Sequence, residues 1–86
     1  MISTNRYKEA EKMEYEKLDS AKIGSRLRKI RAERGETTED VARSIGVTGS
    51  AITMYETGQR VPRDEIKIKI AEYFGVPIES IFFPVN

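Results

Sequence analysis

Ala42, Gly46 and Ile52 together impose a geometric constraint that the rest of the chain must satisfy. Val41, Ala42 and Ile45 recur on one face at helical intervals, Gly46 interrupts the pattern, and Ile52 with Tyr55 resumes it on a second short segment. Two helices of about two turns, joined by so short a connection, must cross at a steep angle. The side chain at 42 has to be small, because the following helix passes close to its Cα. Gly46 turns the chain through a positive φ without a Cβ clash. Val41, Ile45, Val47, Ile52 and Tyr55 fill the angle between the two segments. Most of the remaining chain reads as support for the second of them.

The flanking segments carry the same signals. Ile23, Leu27, Ile30 and Arg34 lie at i, i+4, i+7 and i+11 and are followed by Gly35, which predicts an amphipathic helix over 22–34 with a C′ glycine. Arg31 falls at the edge of that apolar stripe, and a cation turned inward needs a partner. Thr37 caps the next helix, with Asp40 in the reciprocal capping-box place, and Thr48 caps the third, which Gly58 ends. At about 100° per residue, Ser50, Thr53, Met54 and Thr57 lie opposite Ile52 and Tyr55. Beyond a basic loop and Pro62, the residues Ile66, Ile70, Ala71 and Phe74 predict a helix over 63–74, closed by Gly75, with Ile68 off the stripe and facing a partner. Pro77 opens a short final helix whose core residues are Ile78, Ile81 and Phe82, although the apolar run 78–83 fits a strand equally well. Phe83 either joins this core or stays exposed.

Composition bounds the function. The 86 residues make one small domain, of a size that buries only about 60% of its unfolded surface. The chain has no Cys and no His, so disulfides, thiolate metal sites and the commonest acid–base residue are excluded. No paired-carboxylate or Gly-rich phosphate pattern replaces them, and an enzyme is not expected. No apolar run approaches the roughly 18 residues of a membrane span, and the N-terminus has no apolar leader, so the expected location is the cytoplasm. Residues 1–21 form a charged extension in which Tyr7, Ala10, Tyr15 and Leu18 share one helical face. A helix over 6–18 and a solvated arm are both consistent with it. Residues 84–86 are a short tail.

Net charge is only +1, but it is unevenly placed. Residues 22–34 hold six cations against Glu33, a net of +5, and residues 60–69 hold four against two carboxylates, a net of +2. Residues 35–59 hold Arg43 against Glu36, Glu39, Asp40 and Glu56, a net of −3. Basic flanks around a nearly neutral helix suit a polyanion gripped on either side of a reading element, though a solvated surface has the same arithmetic.

Two short helices joined by a Gly-containing turn form the helix-turn-helix unit of DNA-binding proteins. The chain also resembles the Cro and lambda-repressor-like (XRE) helix-turn-helix proteins over residues 22–83. The resemblance rests on Thr37-Thr38-Glu39-Asp40-Val41-Ala42, Ile45-Gly46-Val47-Thr48, Ser50-Ala51-Ile52, Tyr55-Glu56-Thr57-Gly58, Pro62 and Ile70-Ala71-Glu72-Tyr73-Phe74-Gly75-Val76, with the tail Ile78–Phe83 as a fifth helix. It implies an all-α, compact five-helix domain preceded by the charged N-terminal extension. It implies a transcriptional regulator, a repressor in the first reading with activation left open, that binds a palindromic double-stranded DNA operator as a homodimer without cofactor, metal, membrane or small-molecule ligand.

The resemblance also assigns residues. Gly49, Ser50, Thr53 and Met54 face the bases, and Thr38, Thr48, Thr57, Gln59, Arg60, Arg26 and Arg28 face the phosphates. Arg31 pairs with Glu56 across the first and third helices. Ile81, Phe82 and Phe83, or else the N-terminal extension, form the dimer contact. Departures from the family pattern stand at Thr38 and Gly49, where glutamine is frequent, and at Met54, where Arg, Lys or Gln is frequent. Gly49 and Met54 remove hydrogen-bonding base readers, which shifts specificity toward DNA shape and dimer spacing. The same departures suit a second class of function, an antitoxin-like or adaptor module that keeps the fold for protein contacts.

Overall fold

The computed structural model describes residues 19–83, which form five helices and, among the described residues, no strand. The predicted helix over 6–18 and the tail 84–86 lie outside the described residues. Helix α1 spans Ser20–Glu33 and begins two residues before the sequence periodicity predicts. Asp19 is the cause: its Oδ1 accepts from the backbone N–H groups of Ala21 and Lys22 at 3.0 and 3.3 Å. At the other end the Glu36 N–H reaches the Arg31 carbonyl at 3.2 Å and the Gly35 N–H reaches Ala32 at 2.9 Å, closing the last turn.

Helix α2 spans Thr38–Ile45 and α3 spans Gly49–Glu56. The capping box at α2 is complete, with Thr37 Oγ1 accepting from Asp40 N–H and Asp40 Oδ2 accepting from Thr37 N–H, each at 3.0 Å. Gly46 takes φ +82°, the left-handed conformation that the turn requires. Thr48 Oγ1 accepts from Ala51 N–H at 3.0 Å and starts α3.

Helix α4 spans Asp64–Phe74, and α5 spans Ile78–Phe82. The ambiguous run after Pro77 is therefore helical, with the Ser80 N–H closing a turn on the Pro77 carbonyl at 3.0 Å. Leu27, Val41, Ile52, Ile70, Ile81 and Phe82 are fully buried and join all five helices in one core. Full burial of such a side chain contributes about 1.5–3 kcal/mol each, which is how helices of two turns hold together. Ile81 and Phe82 are thus occupied within the subunit and present nothing to a second copy. Phe83 is 40% exposed and Ile68 49%, so these two remain outward. Lys67 on α4 is buried, its ammonium 3.4 Å from Asp64 Oδ1 and 5.0 Å from the Phe83 ring centre.

Candidate nucleic-acid interface

Helix α3 is held against α1 by backbone as much as by side chains. Gly24, buried in the middle of α1, faces the carbonyl oxygens of Tyr55 and Glu56, and a Cβ there would fall inside contact distance of both. The absent side chain lets the C-terminal turn of α3 lie directly on α1. Gly58, at φ +79°, repeats the device one turn later, where a Cβ would lie 3.1 Å from the Ala21 Cα.

Arg31 extends along this contact. Its Nε donates to Glu56 Oε2 at 2.6 Å, its Nη2 to Glu56 Oε1 at 3.0 Å, and its Nη1 to the Glu36 carbonyl at 2.7 Å. The Arg31 side chain is 17% exposed and that of Glu56 6%. The Glu56 hydrogen bond outweighs burial and holds the Arg31 guanidinium above its ordinary range. A two-pronged pair of this kind fixes angle as well as distance.

Glu36 extends the network. Its carboxylate accepts from Arg34 Nε at 2.8 Å and from the Tyr73 hydroxyl, while the Arg34 guanidinium stands 5.3 Å from the ring centres of both Tyr73 and Phe74. Sequence periodicity carries no sign of this cluster, because Glu36 lies in a connection and Tyr73 lies beside, not on, the stripe of α4.

The outward face of α3 carries Ser50, Thr53 and Thr57, all exposed, with Met54 and Gly49 half-buried. The 57–60 turn folds back on the Met54 carbonyl, which accepts from Gln59 N–H at 2.9 Å and Arg60 N–H at 3.2 Å. Hydroxyl protons sort the polar candidates. Thr57 spends its own on the Thr53 carbonyl at 2.8 Å and accepts from Gln59 Nε2 at 2.9 Å. Thr38 donates to Glu39 Oε1 at 3.2 Å. Among the described residues Thr48 only accepts, as a helix cap, so its proton is left for an outside acceptor.

The two α1 arginines expected at the phosphates, Arg26 and Arg28, do not work together. Residues two apart on a helix project about 200° apart. Arg26 turns to the far side, where its Nη1 donates to the Ile81 carbonyl of α5 at 3.4 Å, whereas Arg28 is exposed on the side of α1 that carries Gly24 and Arg31. Arg60 is exposed in the loop beyond α3. The structure therefore carries Ser50, Thr53, Met54 and Gly49 on α3, with Thr48 before it and Gln59 and Arg60 in the turn after it, leaves Arg28 exposed on α1, and turns Arg26 toward α5.

Among the described residues no cluster of Asp, Glu, His or Cys is arranged to hold a metal ion, and no helix is long and apolar enough to cross a membrane.

Comparison with known proteins identifies the fold and the family. A family model described as a helix-turn-helix domain matches residues 24–83. The cryptic phage CTXphi transcriptional repressor RstR of Vibrio cholerae is 39% identical over 59 residues, 69% of this chain and 53% of that one. The chain thus spans about half the length of that relative. An uncharacterized HTH-type transcriptional regulator of Methanocaldococcus jannaschii is 40% identical over 58 residues, 67% of this chain and 88% of its own. Among solved structures, the restriction-modification controller protein C.AhdI of Aeromonas hydrophila superposes with a TM-score of 0.70 at 30% identity, covering 74% of this chain and 93% of that one.

Proposed function

The chain belongs to the helix-turn-helix family of DNA-binding transcriptional regulators, and on that premise we propose that it is a repressor that occupies a palindromic operator as a homodimer. Helix α3 of each subunit enters the major groove, and the two copies meet successive grooves about 34 Å apart. Ser50 and Thr53 hydrogen-bond to base edges, Met54 packs on thymine methyl groups, and the backbone at Gly49 approaches the bases closely. Thr48, Gln59, Arg28 and Arg60 bind phosphates on either side; Thr38 and Thr57 do so only by releasing their internal hydrogen bonds. The protein acts in the cytoplasm, without cofactor and without catalysis. Phe83, at the exposed end of α5, is where a second copy is met.

One observation carries this reading. A polar, uncharged helix face is fixed rigidly by Gly24 and the Arg31–Glu56 pair, with exposed cations beside it. A face used only for protein contact has no need of that combination. The name of RstR as a transcriptional repressor supports the direction of regulation.

Selection of bound duplexes from a random pool tests the proposal. A symmetric motif with half-sites one helical turn apart is expected, with log K falling by about 0.9 per phosphate contact as log salt rises. Failure of the folded protein to enrich any duplex at low salt would sink it and favour the protein-interaction module.

A further inference from the structure

Gly49 opens α3 and is half-buried although it has no side chain. Its cover is Glu39, from the first turn of α2. A Cβ built on Gly49 would lie 3.1 Å from Glu39 Oε2 and 3.5 Å from its Cγ and Cδ. The absent side chain at 49 is thus the seat of the Glu39 carboxylate. Thr38 Oγ1 donates to Glu39 Oε1 at 3.2 Å and holds the group in place, and the positive end of α3 favours a negative charge there.

This carboxylate differs from its neighbours in having one oxygen, Oε2, that accepts no hydrogen bond among the described residues. Glu36 is taken by Arg34 and Tyr73, Asp40 by the Thr37 cap, and Glu56 by Arg31. Glu39 is exposed, and among the described residues it takes part in no ion pair.

We propose that Glu39 is a specificity-determining residue: its carboxylate, seated over Gly49 at the start of α3, accepts a hydrogen bond from the N4 amino group of a cytosine in the major groove. The inference rests on the proposed entry of α3 into that groove. An ionised carboxylate is acceptor-only. Guanine presents O6 and N7 and thymine presents O4, all acceptors that repel it. Adenine offers its N6 amino group but sets the N7 acceptor beside it, so cytosine is the base left without a conflict. Gly49 and Glu39 then act as one unit, in which α2 supplies the first-turn reader that α3 lacks.

Random-pool selection with wild type, Glu39→Ala, Glu39→Gln and Gly49→Ala at one fixed salt concentration tests this. Wild type is expected to favour cytosine at one position of each half-site by about fivefold or more. Glu39→Ala flattens that position and leaves the others, and Glu39→Gln moves it toward adenine, whose N6 and N7 suit an amide. Gly49→Ala, by pushing the carboxylate aside, also weakens the cytosine preference. Circular dichroism checks that each variant keeps its helices, as an exposed position allows. If Glu39→Ala instead tightens binding to all sequences alike with the motif unchanged, the carboxylate merely repels phosphate and the inference falls alone. No enrichment by folded wild type overturns both this inference and the reading of the site on which it rests.

Discussion

Glu56 ends α3 with both carboxylate oxygens on the Arg31 guanidinium, at 2.6 and 3.0 Å, and only 6% of its side chain meets solvent. Removing one member strands the other charge in a site built to hide it. Glu56→Ala is expected to cost about 3 kcal/mol, and loss of one partner from a buried pair is worth about 3–5. At about 4–8 °C per kcal/mol for a domain of this size, the melting temperature should drop by more than 10 °C. Replacing both residues together, as Arg31→Met with Glu56→Leu, should recover most of that loss. A single mutant melting at the wild-type temperature would reduce the pair to a surface contact.

Gly24→Ala tests the backbone contact that seats α3. Alanine favours the helix by about 1 kcal/mol over glycine, so an unobstructed site would be stabilised. Here the new methyl group meets the Tyr55 and Glu56 carbonyls, which are backbone and cannot rotate away. Overpacking of that kind costs about 1–3 kcal/mol. The sign of the change in urea midpoint decides between the two effects, and a fall is expected, with weaker DNA binding because α3 must shift.

The first four helices were legible because each carries its own apolar period and a terminating glycine, with threonine caps at α2 and α3; α5 has neither side-chain cap nor glycine, and its run 78–83 stayed ambiguous. The Arg31–Glu56 pairing came from the family resemblance, and the place of Arg31 at the edge of the apolar stripe agrees with it. Gly24 was not reachable, since a mid-helix glycine looks the same in sequence whether it weakens a helix or admits a neighbour. The Arg26 orientation was available from a wheel but was masked by grouping the basic residues of α1 by composition. Glu36 and Glu39 meet residues of other elements, Tyr73 and Gly49 respectively, and a one-dimensional pattern does not register such meetings. Ile81 and Phe82 show the opposite error, where a family's habit of dimerising through its last helix was carried onto residues that this chain needs for its own core.

Acid should loosen the junction of α1, α2 and α4. The Tyr73 hydroxyl, and after it Arg34, holds the Glu36 carboxyl below its ordinary value of 4.5. The Thr37 backbone N–H, and after it the Thr37 hydroxyl, holds Asp40 below its ordinary 3.8. Both folded values are depressed, so the native state binds fewer protons than the unfolded chain in this range. Their stabilisation is present above the ordinary carboxylate values and is lost as pH falls through the folded ones. Tyr73→Phe removes the leading cause at Glu36. Melting temperatures of wild type and Tyr73→Phe should therefore differ at pH 7 and converge as the pH drops below 4.5. A gap that stays constant across that range would assign the tyrosine's effect to packing alone.

Neighbouring phenylalanines at the end of α5 should behave in opposite ways. Phe82 has no exposed surface, and Phe82→Ala is expected to cost about 3–5 kcal/mol in chemical denaturation. Phe83 is 40% exposed, with Lys67 beside its ring, so Phe83→Ser should leave the unfolding midpoint of dilute protein nearly unchanged. Its expected effect is on association: sedimentation equilibrium should show a weaker dimer. Equal self-association by wild type and Phe83→Ser would move the dimer contact elsewhere.

Salt dependence should separate the arginines proposed to bind phosphate, Arg28 and Arg60, from Arg26. Arg28 and Arg60 are exposed on the side of α3, whereas Arg26 is turned to the Ile81 carbonyl on the far side of α1. Each true phosphate ligand contributes about 0.9 to the slope of log K against log salt. Arg28→Ala and Arg60→Ala should each lower that slope by about this amount per subunit and weaken binding similarly for every sequence. Arg26→Ala should leave the slope as it is, with at most a small loss of stability from the missing bond to α5. The control is informative because all three substitutions remove the same charge. If Arg26→Ala flattened the slope as much as Arg28→Ala, the effect would come from net charge at long range and not from the face of α1 on which each guanidinium stands.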